Sequence, residues 1–232
     1  MRLHTTTWGT GERVALLIHG VMSDHRSWRR VGPALAERGY RVVAVDLRGH
    51  GASGRAASYG LREYADDLVE SLPAGAELAM GHSLGGLTLS LAAAELSPGR
   101  VVYVDPVWHL PEGPEGFRAE AFAAAKGLSR EAIRETAPRW DEKDVDIELA
   151  TLGLWDESTA QGLKEAVGRD LMPAVPVAPS LVVAADPSRL VPARRAAVLR
   201  ERGFEVRVVT GAGHTVHRDD FDGFMAALEG WI

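Results

Sequence analysis

The stretch Leu78-Ala79-Met80-Gly81-His82-Ser83-Leu84-Gly85-Gly86-Leu87 decides the fold. An apolar run enters it, G-x-S-x-G occupies its centre, and a helical pattern leaves it. A serine placed at such a point must sit on a tight turn so that its hydroxyl projects above the edge of a sheet. Small residues two before and two after it let strand and helix approach closely. The following helix aims backbone N–H groups and its positive dipole end at charge forming near the serine. With 25 glycines in 232 residues, chance alone supplies about 0.14 matches to the five-residue pattern. The strand before it and the helix after it are therefore what single out Ser83.

Working outward, short apolar runs recur at Val14–Ile18, Val42–Val45, Leu78–Met80, Val101–Val104, Leu181–Ala185 and Val206–Val209. Most are continuous and β-branched, as in strands buried on both faces of a parallel sheet. Helical patterns fill the gaps at about 26–38, 61–72, 84–96, 192–202 and 217–231, with Gly39 and Gly203 as C-terminal caps. Residues 2–8 read as an antiparallel edge strand joined to Val14 through a Gly9-Thr10-Gly11 hairpin loop. The alternation predicts a doubly wound α/β domain in which right-handed crossovers bring the carboxyl ends of the strands to one edge, where ligands bind.

The alternation stops between Pro106 and about Pro179. The stretch between reads as helical at Gly116–Lys126, Ser129–Ala137, near Glu142–Leu152, and at Glu157–Val167. So long a departure between adjacent strands predicts a helical cap inserted at about 107–178 in a single domain spanning 1–232. The Pro/Ala-rich segment 173–179 leads back to the sheet.

Composition narrows the function. Hydrophobic residues make up 46% of the chain, enough for one sizeable core. A net charge of -6 argues against a broad basic surface for nucleic acid. The absence of cysteine removes disulfides, thiolate metal sites and cysteine nucleophiles. No run approaches the roughly 18 apolar residues of a membrane span, and the first residues lack a signal-peptide core. A cytoplasmic protein that binds neither membrane nor nucleic acid is expected. No metal is expected either: there is no H-E-x-x-H, and His214 with His217 is only a pair.

A serine hydroxyl needs a general base, and the base needs an orienting carboxylate. Histidine suits the first role because its ordinary pKa lies near neutrality. His214 follows the last apolar run in the loop Thr210-Gly211-Ala212-Gly213, and it is preferred over His217, which reads as the start of the final helix. For the acid, Asp186 after Leu181–Ala185 is preferred. Asp105, in Tyr103-Val104-Asp105-Pro106, is the alternative. The order Ser83, Asp186, His214 matches the nucleophile–acid–base order of this architecture. The oxyanion donors are expected to be the backbone N–H groups of Leu84 and of Val21, the latter aimed by the turn at Gly20.

Taken together, His19-Gly20, Asp46-Leu47-Arg48-Gly49-His50-Gly51-Ala52-Ser53, Gly81-His82-Ser83-Leu84-Gly85-Gly86, Asp186-Pro187-Ser188 and Gly211-Ala212-Gly213-His214 resemble the α/β-hydrolase superfamily. The resemblance implies a mostly parallel sheet of about seven to eight strands, a Ser/His/Asp triad, a lid between the strands bearing Asp105 and Asp186, and no cofactor. The Asp46–Ser53 segment is assigned to the turn it shapes, not to catalysis. Serine-nucleophile members cleave esters, thioesters or lactones, and others cleave carbon–carbon bonds or make peracids. An epoxide hydrolase or haloalkane dehalogenase would need aspartate where Ser83 stands. Met22, Trp108, Trp155 and Val191 are the expected substrate-binding residues. With Val107, Leu110, Trp140, Leu154 and Leu190 they predict a small, largely hydrophobic ester or lactone as substrate. Carbon–carbon hydrolysis, perhydrolysis and a non-catalytic ligand receptor are the alternatives.

Overall fold

The apolar runs become β1 (Thr5–Trp8), β2 (Arg13–Ile18), β3 (Tyr40–Val45), β4 (Leu78–His82), β5 (Arg100–Val104), β6 (Ser180–Ala184) and β7 (Glu205–Val208). These come from a computed structural model that describes residues 1–113 and 117–232. The strands form one seven-stranded sheet in the order β1-β3-β2-β4-β5-β6-β7. All pairings are parallel except β1 with β3. Both faces are covered, which is why the runs are apolar without alternation. On β2, Leu16 and Ile18 enter one core cluster while Ala15 and Leu17 enter the other.

The first cluster packs against α2 (Leu61–Ser71), α3 (Leu84–Leu96) and α7 (Ala193–Glu201). The second packs against α1 (Val31–Ala36) and α9 (Phe221–Ala227) through Val31, Leu35, Phe224 and their neighbours. Gly39 and Gly203 adopt φ of 87° and 89° just after α1 and α7, the left-handed caps that the sequence predicts.

Three local expectations change. The edge strand does not hairpin onto β2. It pairs Thr5 with Val45 and Trp8 with Val42, because β2 already has β3 and β4 on its two edges, whereas the adjacent β3 has a free outer edge. The expected helix at 26–38 splits into a 3₁₀ turn at His25–Trp28 and α1. Pro33 lacks the N–H that would bond back to residue 29, so the α-helix starts only at Val31. The final helix divides into α8 (Val216–Asp219) and α9 at Asp220, whose side chain accepts from the Gly223 N–H at 2.9 Å.

Between β5 and β6 the described residues form α4 (Ala119–Ala124), a 3₁₀ turn at Ala125–Gly127, α5 (Arg130–Thr136), α6 (Glu142–Leu154) and 3₁₀ turns over Glu157–Ala166. The expected helix start at Gly116 lies outside the described residues. Ser129 and Asp141 cap α5 and α6 by accepting from Ala132 and Asp144 N–H groups. The inserted segment is tied to the sheet domain at several points. Asp156 donates its N–H to the Gly49 carbonyl at 2.8 Å and accepts from the Tyr59 hydroxyl at 2.7 Å. Arg29 reaches Asp144 at 2.8 Å, and Arg218 reaches Glu148 at 2.7 Å. Among the described residues, no helix is long and apolar enough to cross a membrane.

Candidate active site

Ser83 lies between the end of β4 and the first residue of α3, with φ 52° and ψ −115°. A non-glycine residue there carries about 1–3 kcal/mol of backbone strain, which only the surroundings can maintain. Its N–H donates to the Val104 carbonyl at 3.0 Å, and its carbonyl accepts from the Leu87 and Val107 N–H groups. Glycine is required around it by contact. A Cβ on Gly81 would meet the Gly85 carbonyl at 2.5 Å, and one on Gly85 would collide with the Ile18 and His19 carbonyls. Strand and helix can close at this angle only with no side chain at either position.

His214, in the loop after β7, places Nε2 3.0 Å from Ser83 Oγ and Nδ1 2.7 Å from Asp105 Oδ2. Asp105 follows β5, is fully buried, and has φ 39°. Its other oxygen accepts from the Ser188 hydroxyl at 2.6 Å and from the Ala185 N–H at 3.3 Å. The carboxylate is thus held by three donors with one oxygen aimed at the imidazole. Ser188, quoted in the sequence only as part of the Asp186-Pro187-Ser188 motif and given no role, is bonded in turn by the Leu190 and Val191 N–H groups.

The structure therefore brings His214 to Asp105, the alternative, and not to Asp186, the preferred candidate. Asp186 does not meet His214; its Oδ2 accepts from the Gly211 N–H at 3.2 Å, at the base of the histidine loop. Asp105 ends β5, the immediate neighbour of β4, whereas Asp186 follows β6, one strand further from the serine. His214 itself follows β7, further out still, so strand count alone does not choose between them: the loops turn Asp105 Oδ2 to His214 Nδ1 and Asp186 Oδ2 to the Gly211 N–H.

His82, directly before the serine, is buried and held neutral, because burial pushes its pKa well below the usual histidine range. Its Nε2 lies 3.0 Å from the His214 carbonyl, and donation there fixes the backbone of the histidine loop. His217 is buried too, stacked on Trp28 at 4.2 Å between ring centroids. Neither of its ring nitrogens has a partner among the described residues. It is a packing residue of α8 and offers no bond to Ser83.

Gly20 brings the loop after β2 against the serine: a Cβ there would come 2.8 Å from His82 Nδ1 and 3.1 Å from Ser83 Cβ. Among the described residues, the Val21 and Leu84 N–H groups meet no protein acceptor.

Above Ser83 opens a cavity of about 590 Å³. The sheet domain contributes Val21, Met22, His82, Leu190 and Thr215, and the inserted segment contributes Val107, Leu110, Phe117, Phe122, Trp140, Glu148 and Leu163. Of the four expected substrate contacts, only Met22 lines it. Trp108 is buried beneath, donating to the Ser90 hydroxyl at 3.1 Å and packed on Tyr103 and Phe204. Trp155 is buried with Ala119 and Ala160, its indole N–H satisfied by Thr159. Val191 belongs to the main core. A large aromatic that can satisfy its N–H internally is drawn into packing, not toward the cavity.

The sequence reading also missed a charged wall. Arg218 and Glu148 line the cavity as an ion pair, and the Arg218 guanidinium lies 3.5 Å over the Trp140 ring. Arg218 also donates to the Asp144 carbonyl at 2.5 Å, and Arg189 stands at the rim. The one available signal was the pattern of acids on α6, Asp144 and Glu148, one turn apart on one helix face.

Comparison with known proteins agrees with this fold. N-formylmaleamate deformylase of Pseudomonas putida KT2440 is 26% identical, over 98% of this chain and 91% of that protein. The pimeloyl-[acyl-carrier protein] methyl ester esterase of Edwardsiella ictaluri is 30% identical, over 74% of this chain and 65% of the esterase. The crystal structure of the N-formylmaleamic acid deformylase of Pseudomonas putida S16 superposes with a TM-score of 0.79 at 25% identity, covering 97% and 95% of the two chains. A model of the alpha/beta hydrolase family matches residues 15–227, from the first core strand to the end of α9. With so little left outside the match, this chain belongs to the alpha/beta hydrolase family.

Proposed function

We propose that the protein is a serine hydrolase that cleaves an ester or lactone of a small molecule through an acyl-enzyme, with Ser83, His214 and Asp105 as its triad. The observation that carries this reading is His214 bridging Ser83 Oγ at 3.0 Å and Asp105 Oδ2 at 2.7 Å beneath the cavity. In this mechanism His214 Nε2 takes the Ser83 proton as Oγ attacks the carbonyl carbon. Asp105 holds the Nδ1–H and stabilises the imidazolium. The Val21 and Leu84 N–H groups receive the oxyanion, each worth roughly 3–4 kcal/mol in the transition state. His214 then protonates the leaving group. Water, activated by the same imidazole, attacks the acyl-enzyme and frees Ser83.

The cavity supports a small substrate with an apolar body, set against Met22, Leu110, Phe117, Phe122 and Leu163. The inserted segment acts as a cap, since it supplies four of those five residues. The relatives' names describe removal of a formyl group and cleavage of a methyl ester, both attacks on an acyl carbon.

The test is labelling with a fluorophosphonate probe, followed by turnover of short and medium p-nitrophenyl esters and a lactone panel. Stoichiometric labelling and ester turnover, both abolished in Ser83→Ala, are expected. Near-wild-type turnover in Ser83→Ala would end this account. Labelling without turnover of any acyl substrate would instead favour a ligand receptor on the same fold.

A further inference from the structure

Away from the cavity, three metal-ligand side chains converge from separate segments. His4 precedes β1, His25 opens the 3₁₀ turn after β2, and Asp46 follows β3. Each offers one ligand atom, a ring nitrogen of His4 and of His25 and a carboxylate oxygen of Asp46, and the three lie within 4.8 Å of one another. His25 Nδ1 is 2.8 Å from Asp46 Oδ1, and His4 Nδ1 is 3.5 Å from Asp46 Oδ2. We propose that His4, His25 and Asp46 form a binding site for a single divalent late-transition-metal ion, of which Zn²⁺ is the type.

Several observations support this. A tetrahedral ion with bonds of about 2.0–2.1 Å sets its ligands about 3.4 Å apart; His4 and Asp46 stand at 3.5 Å, and His25 would exchange its 2.8 Å hydrogen bond to Asp46 for the ion by moving back about half an ångström. Asp46 is fully buried, yet His4 Nδ1, itself buried, makes no hydrogen bond among the described residues. An unpaired nitrogen aimed at a buried carboxylate is a costly arrangement that a cation would satisfy. Asp46 is fixed by outer donors, accepting from the His25 and Ala52 N–H groups at 2.8 and 2.9 Å. Such bonds orient a metal ligand. Arg26, beside His25 in the chain, is paired with Asp24 at 2.6 Å, so its repulsion is offset.

The donor types choose the ion. Two imidazoles and one carboxylate suit Zn²⁺, Ni²⁺ or Cu²⁺, whereas Mg²⁺ and Ca²⁺ prefer sites built from oxygens. Bound through Nδ1, each histidine carries its proton on Nε2, and the fourth position is left to water. None of the three residues lines the cavity over Ser83. The ion would clamp the N-terminal segment to the first crossover and to the end of β3, so its effect is expected on stability.

The experiment is calorimetric titration of the full, untagged chain with ZnCl₂ after EDTA treatment and buffer exchange, paired with thermal melts with and without Zn²⁺. One ion per chain is expected, with a melting point raised by Zn²⁺. His4→Ala and His25→Gln should each weaken binding at least tenfold and abolish the shift. His4 is partly exposed, so His4→Ala should fold, and circular dichroism in EDTA checks that both variants do. No saturable binding at one ion per chain would overturn the proposal. Unchanged affinity in the folded His4→Ala and His25→Gln proteins would overturn it equally, by assigning the ion to other surface groups.

Discussion

Asp105 and His214 are 109 positions apart in the chain and 2.7 Å apart in space, joined from Oδ2 to Nδ1. That bond fixes the imidazole with its other nitrogen toward Ser83. Asp105→Asn keeps the shape but presents the wrong hydrogen-bonding group. It should lower kcat by about 10³–10⁴-fold on the best ester found. Asp186→Asn changes only an acceptor for the Gly211 N–H, and a loss under roughly tenfold is expected from one such bond. Steady-state kinetics of the two variants side by side decide the matter. A crippled Asp186→Asn with a healthy Asp105→Asn would reverse the assignment.

Gly20 is where the loop after β2 touches the serine. In Gly20→Ala the new methyl group meets His82 Nδ1 at 2.8 Å. The loop must move, and the Val21 N–H moves with it. A misplaced oxyanion donor should reduce kcat by roughly 10²-fold with little change in KM. A fall in thermal stability with normal kcat would show that the contact serves packing alone.

Arg218 is buried against Glu148, and the Asp144 carbonyl accepts from it. Removing one member of a buried ion pair strands the other charge, at a typical cost of about 3–5 kcal/mol. Urea unfolding of Arg218→Met should show a loss of that order. The double variant Arg218→Met with Glu148→Gln should regain a large part of it. Loss of equal size in single and double variants would mean that packing on Trp140, rather than charge, is what Arg218 supplies.

His217 offers a pH signature. Burial, then the nearby Arg218 charge, holds its ring well below the usual histidine range. The unfolded chain binds that proton near pH 6.5 and the folded chain does not. Stability is therefore whole above pH 6.5 and is lost as pH falls below it, by up to about 1.4 kcal/mol per pH unit. His217→Phe keeps a ring against Trp28, removes two unpartnered nitrogens and removes the titration. Unfolding free energies at pH 7.5 and pH 5 should show a smaller drop in the variant than in the wild type. Parallel pH profiles would place the acid sensitivity elsewhere.

Much of the fold was written in local pattern. Each core strand was visible as a continuous apolar run because both faces of the sheet are covered, and Gly39 and Gly203 marked helix ends because few other residues adopt their φ. The elbow was legible for the same reason: Gly81, Ser83 and Gly85 are dictated by contacts within a few residues. Which strand β1 would join was not, since that depends on which edge of the sheet is left free.

The sequence by itself singled out Ser83 and His214, which the structure brings within 3.0 Å, and it determined the helical character of the segment between β5 and β6 and the family's architecture. Tertiary structure alone decided which carboxylate meets His214, because the loops after β5 and β6 turn Asp105, not Asp186, to the imidazole, and a one-dimensional order of residues does not record that contact. It alone decided which aromatics reach the cavity, because Trp108 and Trp155 satisfy their N–H groups inside the core. It alone brought Arg218 to Glu148 and His4 to Asp46. Those pairings are set by how distant segments pack, and no periodicity within either segment records the other.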